Sequence, residues 1–362
     1  MRRTAAQPIV QRLAELCRER GGVRLMEICG THTVALFRSG LRGLLPPELR
    51  LISGPGCPVC VTPSSYLDLA CELAARPDVT ICTYGDMVRV PGRRSSLEAQ
   101  RAAGARVVVV YSARDAVRYA AAHRDEQVVF LGVGFETTAP ATAAAMLAAA
   151  AQGLTNFAVL SGHKLVIPAL LALLAAGDVQ IDGFLCPGHV SIVIGPQAFA
   201  PMAEQYGRPC VVAGFEPDGM LRAIARLVEL VAAETPRVEN AYAVAVAADG
   251  NAAARACVDR VFVPADTTWR ALGTIPASGL ALRAEFAAFD AAARFGVSAG
   301  EDVEPPGCRC GEVIQGKCEP AECALFGTAC TPLRPVGPCM VSSEGTCAAW
   351  FKYRPAELVE QA

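Results

Sequence analysis

"TPSSYLDLACELAARPDVTICTYGD", residues 62–86, carries one helix and one strand back to back. Tyr66, Leu69, Ala70 and Leu73 recur at helical spacing and make one apolar face. Thr62 is placed to cap this helix and Pro63 suits its first turn. Val79 to Tyr84 then reads as a short β-rich run that leads into Gly85-Asp86. The same alternation extends outward from Val23 to about residue 260, through "VRLMEIC", "LRLIS", "RVVVVYS", "QVVFLGV", "NFAVLSG", "IDGFLC", "PCVVAGF" and "AYAVAV". Strands alternating with helices predict a parallel sheet covered by helices. Nine strand candidates fit two Rossmann-like parallel-sheet lobes better than one sheet, and Gly-Phe-Glu follows a strand twice, at 134–136 and 214–216. The expected division is a first α/β lobe over 1–150, a second over 151–300, and a small Cys-rich iron-sulfur domain over 301–362.

The chain has 362 residues, too many for one ordinary core. At 52% hydrophobic and 19% charged residues it lies far from disorder, and a net charge of -2 gives no basic face for phosphates. No nucleic-acid partner is therefore expected. Residues 1–20 read as an amphipathic helix rather than a signal peptide, since Gln11, Arg12 and Glu15 interrupt the apolar positions. The uncharged stretch from Thr137 to His163 is broken by Pro140, Gly153 and Asn156 and is rich in alanine, a poor membrane span. A soluble, cytoplasmic protein without a membrane partner is the expectation. In a reducing compartment sixteen cysteines call for metal or thiol chemistry rather than structural disulfides.

Loops at the carboxyl ends of parallel strands build ligand crevices. Here those loops hold Cys29 and His32, Cys57 and Cys60, Asp86, Glu136 and Thr137, His163 and Lys164, His189, and Glu216. Cys29 precedes a helix start, whose positive end is expected to lower the thiol pKa and suit it to a soft metal or to nucleophilic attack. Cys57-Pro-Val-Cys60 is a redox dithiol or a pair of metal ligands. If the strands before Cys29 and Cys57 are neighbours, three thiols and His32 converge, which favours metal. Glu136, Glu216, His163 and His189 bind or orient a ligand on this reading, whereas Asp86 with Arg89 and Arg93 reads as a local ion pair.

Seven cysteines fall at or after residue 308, in a segment with little periodic apolar pattern. A bound metal supplies folding energy that such a segment lacks. Zinc and a [4Fe-4S] cluster are both candidates, and the irregular spacing favours the cluster. Spacing alone does not choose four ligands among seven thiols. No phosphate loop, no C-x3-C-x2-C triplet and no G-x-S-x-G elbow is present, so an ordinary nucleotide-dependent or hydrolytic enzyme is disfavoured.

"MEICGTHT", "GPGCPVCVTP", "GFETTAP", "PGHVSIVIG", "VAGFEP" and the C-terminal "MVSSEGTCAAW" resemble, in order, the motifs of the HypD family of hydrogenase maturation factors, over about residues 23 to 353. The resemblance implies an assembly scaffold that works with a HypC-type chaperone and a HypE-type cyanide donor. On it a transient iron acquires two cyanides and one carbon monoxide for [NiFe]-hydrogenase. It implies that Cys29 binds that iron, that Cys57 and Cys60 form the dithiol beside it, and that His32 belongs to the same site. The family's C-x12-C-x6-C-x16-C pattern falls on Cys310, Cys323, Cys330 and Cys347, with Cys308, Cys318 and Cys339 as extras. Where many members carry a second histidine in the first motif, Val34 stands here. Two rivals are a stand-alone iron-sulfur thiol-disulfide reductase, with Cys57 and Cys60 as its dithiol, and a structural zinc protein that binds a partner.

Overall fold

The computed structural model describes residues 3–353. Its strands are β1 (Val23–Glu27), β2 (Leu49–Ser53), β3 (Val79–Thr83), β4 (Arg106–Val109), β5 (Gln127–Gly134), β6 (Phe157–His163), β7 (Gly183–Pro187), β8 (Cys210–Ala213), β9 (Val238–Asn240), β10 (Phe262–Trp269) and β11 (Gly273–Leu282). They form two parallel sheets, ordered β2-β1-β7-β8-β9 and β4-β3-β5-β6, and one antiparallel hairpin, β10-β11. The α/β class and the parallel pairing agree with the sequence pattern.

A division at residue 150 does not match these sheets. Strands β5 and β6, on either side of it, are hydrogen-bonded neighbours, and β1 pairs with β7 rather than with β3. The first sheet is assembled from both ends of the α/β region, and the second is inserted between β2 and β7. Local periodicity finds strands but not partners, because pairing depends on which buried faces meet.

Two further departures have local causes. "AYAVAV" is a turn rather than a strand, because the Asn240 side chain accepts from the Tyr242 amide at 3.0 Å and donates to the Val246 carbonyl at 2.9 Å. Pairing stops one residue earlier, at the end of β9. The helix of residues 62–86 runs Ser64–Ala74, with its start held by Asp302, whose carboxylate accepts from the Ser64 amide at 2.6 Å and hydroxyl at 2.7 Å. Thr62 cannot serve there, since its hydroxyl is committed to the Pro58 carbonyl at 2.8 Å.

The sheets share one core. Met26 and Ile52 from the first, Ile81 and Leu131 from the second, and Val313, Ile314 and Met340 from the C-terminal segment belong to a single buried cluster. Outer clusters lie against the helices Arg3–Glu19 and Pro217–Ala232 on one side and Ala113–Ala122 and Ala139–Ala151 on the other. The Cys-rich segment is thus packed into the α/β body. Arg42 tightens that packing, with its guanidinium 5.1 Å from the ring centroids of both Phe37 and Trp350. No helix among the described residues is long and apolar enough to cross a membrane.

Candidate metal centre

Strands β1 and β2 pair in register from Val23↔Leu49 to Glu27↔Ser53, so the loops after them leave the sheet side by side. Gly56 makes that closeness possible: a Cβ there would stand 2.4 Å from the Ile28 carbonyl carbon and the Cys29 nitrogen. Gly30 meets the C-terminal segment as closely, with a Cβ position 2.5 Å from the Glu344 carbonyl oxygen. Both obstacles are backbone, which cannot rotate away. Gly56→Ala is expected to cost about 1–3 kcal/mol as overpacking, read as a lower midpoint in denaturant against a Gly43→Ala control, where a Cβ meets nothing.

Over Cys29 lies the loop Ser342–Gly345. Thr31 donates to the Glu344 carboxylate at 2.6 Å on the first sheet's side. On the second sheet's side Asp86 accepts from the Ser342 hydroxyl, the Ser343 amide and the Ser343 hydroxyl at 3.0–3.2 Å. Asp86 is therefore a clamp on this loop rather than part of an ion pair with Arg89 and Arg93. The site lies where the carboxyl edges of both sheets meet the Cys-rich segment.

Cys29 is 9% exposed and stands at the N-cap of the helix Gly30–Arg38, facing the Thr31 and His32 amides. Burial outweighs the helix end and pushes its thiol up to about 12, the reverse of the lowering expected from sequence. Such a thiol is inert until a cation compensates its charge.

His32 does not join the thiols. Its Nε2 donates to the Gly214 carbonyl at 2.9 Å, its ring packs 4.7 Å from Phe215, and burial holds it down to about 4, hence neutral. The exposed His189 stacks on the other side of Phe215 at 4.0 Å. His163 is likewise a core group, bonded to the Thr142 hydroxyl at 3.0 Å.

Glu136 is buried, and one of its oxygens accepts from the Val166 amide at 2.9 Å; Thr137 beside it is exposed. Burial pushes Glu136 up to about 7. Because its folded pKa lies above the ordinary carboxylate value, its contribution is intact below about 4.5 and is lost as pH rises towards 7. Glu136→Gln is expected to flatten stability over that window by roughly 2–3 kcal/mol, measured as the difference between the two proteins' pH profiles.

Cys57 caps the short helix Pro58–Val61, its Sγ accepting from the Cys60 amide at 3.3 Å. The Cys60 thiol is fully buried and contacts Cys57 on one side and Cys339 on the other. Cys339 also touches Cys310 and Cys347, and Cys310 touches Cys308. These contacts form a continuous row of thiols from the dithiol into the C-terminal segment. No local spacing signals this row, because Cys339 lies almost three hundred residues from Cys60.

The row ends at a small cavity of about 20 Å³ lined by Cys308, Cys310, Cys323, Cys330, Cys339 and Cys347, with Leu325, Phe326 and Met340 as apolar walls. Among the described residues no imidazole or carboxylate lines it. Six sulfurs fit a thiolate-ligated metal, and the Val336 amide already donates to Cys330 Sγ at 3.3 Å. Among the described residues no three His, Cys, Asp or Glu side chains stand together at metal-binding geometry. Exposure divides the six: Cys339 and Cys310 are at 1% and 2%, Cys330 and Cys347 at 7% and 9%, and Cys308 and Cys323 are half-buried. Cys318 lies elsewhere, in a groove with Arg42 and Arg50.

Fold and site together define an α/β protein in which paired parallel sheets enclose a thiol-lined centre completed by a C-terminal Cys-rich segment. The family profile HypD, described as "Hydrogenase formation hypA family", matches residues 4–354, and the chain belongs to that family. It is 48% identical over 356 residues to the "Hydrogenase maturation factor HypD" of Azotobacter vinelandii, covering 96% of this chain and 94% of that protein. It is 45% identical over 358 residues to the protein of the same name from Escherichia coli K12, covering 96% of each.

Proposed function

We propose that this hydrogenase maturation factor is the scaffold on which, together with a HypC-type chaperone, iron receives two cyanides and one carbon monoxide, the cyanides coming from a HypE-type donor. The observation that carries this reading is the row of thiols leading from the loop beside Cys29 to a six-sulfur cavity. Cys29 takes the cargo iron as a thiolate, its charge compensated by the metal, and soft sulfur suits iron that carries cyanide and carbonyl ligands. Cys57 and Cys60 are the dithiol alongside. Exposed His189, Thr137 and Glu216 mark the rim that a partner meets, whereas His32 and Glu136 hold the loops in place.

The C-terminal cavity is the seat of a [4Fe-4S] cluster. The family resemblance implies Cys310, Cys323, Cys330 and Cys347, but the contacts favour Cys308 in place of Cys310. Cys310 is one of the two most buried of the six thiols and abuts Cys339, the neighbour of Cys60. Cys310 and Cys339 then form a second redox pair, which leaves Cys308, Cys323, Cys330 and Cys347 of the cavity's lining as the four ligands. A bound cluster supplies single electrons. The protein's own part is to hold two dithiols in series between that source and the cargo.

Anaerobic co-expression with a small HypC-type partner tests the whole reading. Brown protein with about four iron per chain is expected for the cluster, together with infrared bands of iron-bound cyanide and carbon monoxide in the copurified complex. Colourless, zinc-containing protein overturns it in favour of a structural zinc protein. Partner-independent turnover of disulfide substrates, without those bands, overturns it in favour of a reductase.

A further inference from the structure

Arg270 is 0% exposed, and both terminal nitrogens of its guanidinium lack hydrogen-bond partners. An arginine cannot shed its charge at this depth by losing a proton, so a buried and unsatisfied one marks a place where negative charge is received. Glu304 stands with an oxygen 4.0 Å away, too far to satisfy it, and both of that carboxylate's oxygens are themselves unpartnered.

The position of Arg270 says which negative charge. It occupies the tip of the hairpin formed by β10 and β11, and this tip is wedged between the helix that carries Cys60 and the helix that begins at Cys310. Its backbone amide donates to the Val61 carbonyl at 2.9 Å and its Nε to the Thr62 carbonyl at 2.9 Å, at the end of the helix that carries Cys60. The next residue, Ala271, lies against Gly311, where a Cβ would come within 2.3 Å of it, and the Ala271 carbonyl accepts from Gln315 at 2.9 Å. The next residue's contact with Gly311 thus brings Arg270 to the start of the helix Cys310–Ile314, with its charge within electrostatic reach of the Cys310 sulfur.

We propose that Arg270 is a positioning and charge-stabilising residue for exchange between the two dithiols, receiving the negative charge that develops on the Cys310 sulfur. This inference rests on the assignment of Cys310 and Cys339 as a redox pair.

The order of contacts fixes the chemistry. The Cys60 sulfur attacks Cys339, forming a Cys60–Cys339 bond, and the Cys339–Cys310 bond breaks with its electron pair left on Cys310, next to Arg270. Cys57 then attacks Cys60, closing the Cys57–Cys60 disulfide and releasing Cys339. Two electrons pass from the first dithiol to the second, and the two protons given up by Cys57 and Cys60 end on Cys310 and Cys339. The reverse sequence re-reduces Cys57 and Cys60. In either direction Cys310 carries the charge at the step that makes or breaks its bond, and a fixed guanidinium there needs no reorganisation. Glu304 opposes it, so removing the two side chains' charges has opposite effects.

The test uses anaerobically purified full-length protein equilibrated in glutathione buffers of graded poise, with alkylation and peptide mapping to detect the Cys310–Cys339 disulfide. From the oxidised state, its loss is then followed in time after a jump to reducing poise, with samples quenched by the alkylating agent. Arg270→Met is expected to slow that reduction about tenfold, since the leaving sulfur loses its fixed positive neighbour. Arg270→Lys restores most of the rate. Glu304→Gln, a change at a side chain 34% exposed, raises the rate about threefold and remains informative if Arg270→Met does not fold. Coincident wild-type and Glu304→Gln time courses, or an unmoved Arg270→Met time course, overturn the role of Arg270. Absence of a Cys310–Cys339 disulfide from wild-type protein at every poise overturns the underlying pairing instead.

Discussion

Replacing Cys29 by alanine is expected to abolish loading of the iron–cyanide cargo while leaving C-terminal iron unchanged. Cys29 is the thiol at the end of β1, next to the loop of Cys57, and its raised pKa means that only a bound cation makes the thiolate available. Without it the remaining sulfur donors nearby, Cys57 and Cys60, are engaged with each other and with Cys339. Loss of a ligand should cost at least the 10- to 100-fold typical of losing a ligand's supporting partner. Infrared bands of bound cyanide and carbon monoxide should fall below detection in the copurified complex, with the brown chromophore retained. Bands of undiminished intensity in Cys29→Ala would refute the assignment. Fold damage is not expected to confuse the result, since alanine removes one sulfur and the loop contacts of Gly30 and Gly56 remain.

The second large effect separates two thiols that differ by two positions. Cys308→Ser is expected to take iron from about four per chain to near zero, and to expose the helix Thr346–Tyr353 to amide exchange, because the segment then lacks the metal that helps fold it. Cys310→Ser should keep its iron and its colour. It should instead be unable to pass reducing equivalents to Cys57 and Cys60, so that the dithiol, once oxidised, is trapped as a disulfide during reduction from the cluster side. The reverse pattern, iron lost with Cys310→Ser and kept with Cys308→Ser, returns the ligand set to the one the family resemblance implies.

How far the sequence reached can be seen from where it stopped. Period-2 and period-3.6 patterns located β1 to β8 closely, since each is a short apolar run flanked by Gly, Pro or Asp. They could not show that β1 joins β7, because a strand buried on both faces has no polar side to reveal its neighbour. The hairpin β10–β11 passed unread: Pro264 and the exposed polar positions of "FVPADTTW" blur its alternation. Among the site residues, the thiols were found by density and by Gly-Pro context. Arg270 and Glu344 leave no local pattern, and Asp86 reads from sequence as a local ion pair, because each acts across more than two hundred residues of chain. His32 was placed in the right loop but with the wrong orientation, which the Gly214 carbonyl decides.

The loop Ser342–Gly345 has a mechanical meaning. It hangs between Cys339 and Cys347, is pinned to one sheet through Glu344 and to the other through Asp86, and lies on Gly30 beside the cargo thiol. Gly345 abuts the Cys339 carbonyl so closely that a Cβ would fall 2.1 Å from that oxygen, so the loop has no slack of its own. Lifting this loop off Cys29 therefore requires breaking the Thr31–Glu344 contact on one side, breaking the Asp86 contacts on the other, or shifting the Cys339 backbone with it, so three distant parts of the chain hold one cover in common.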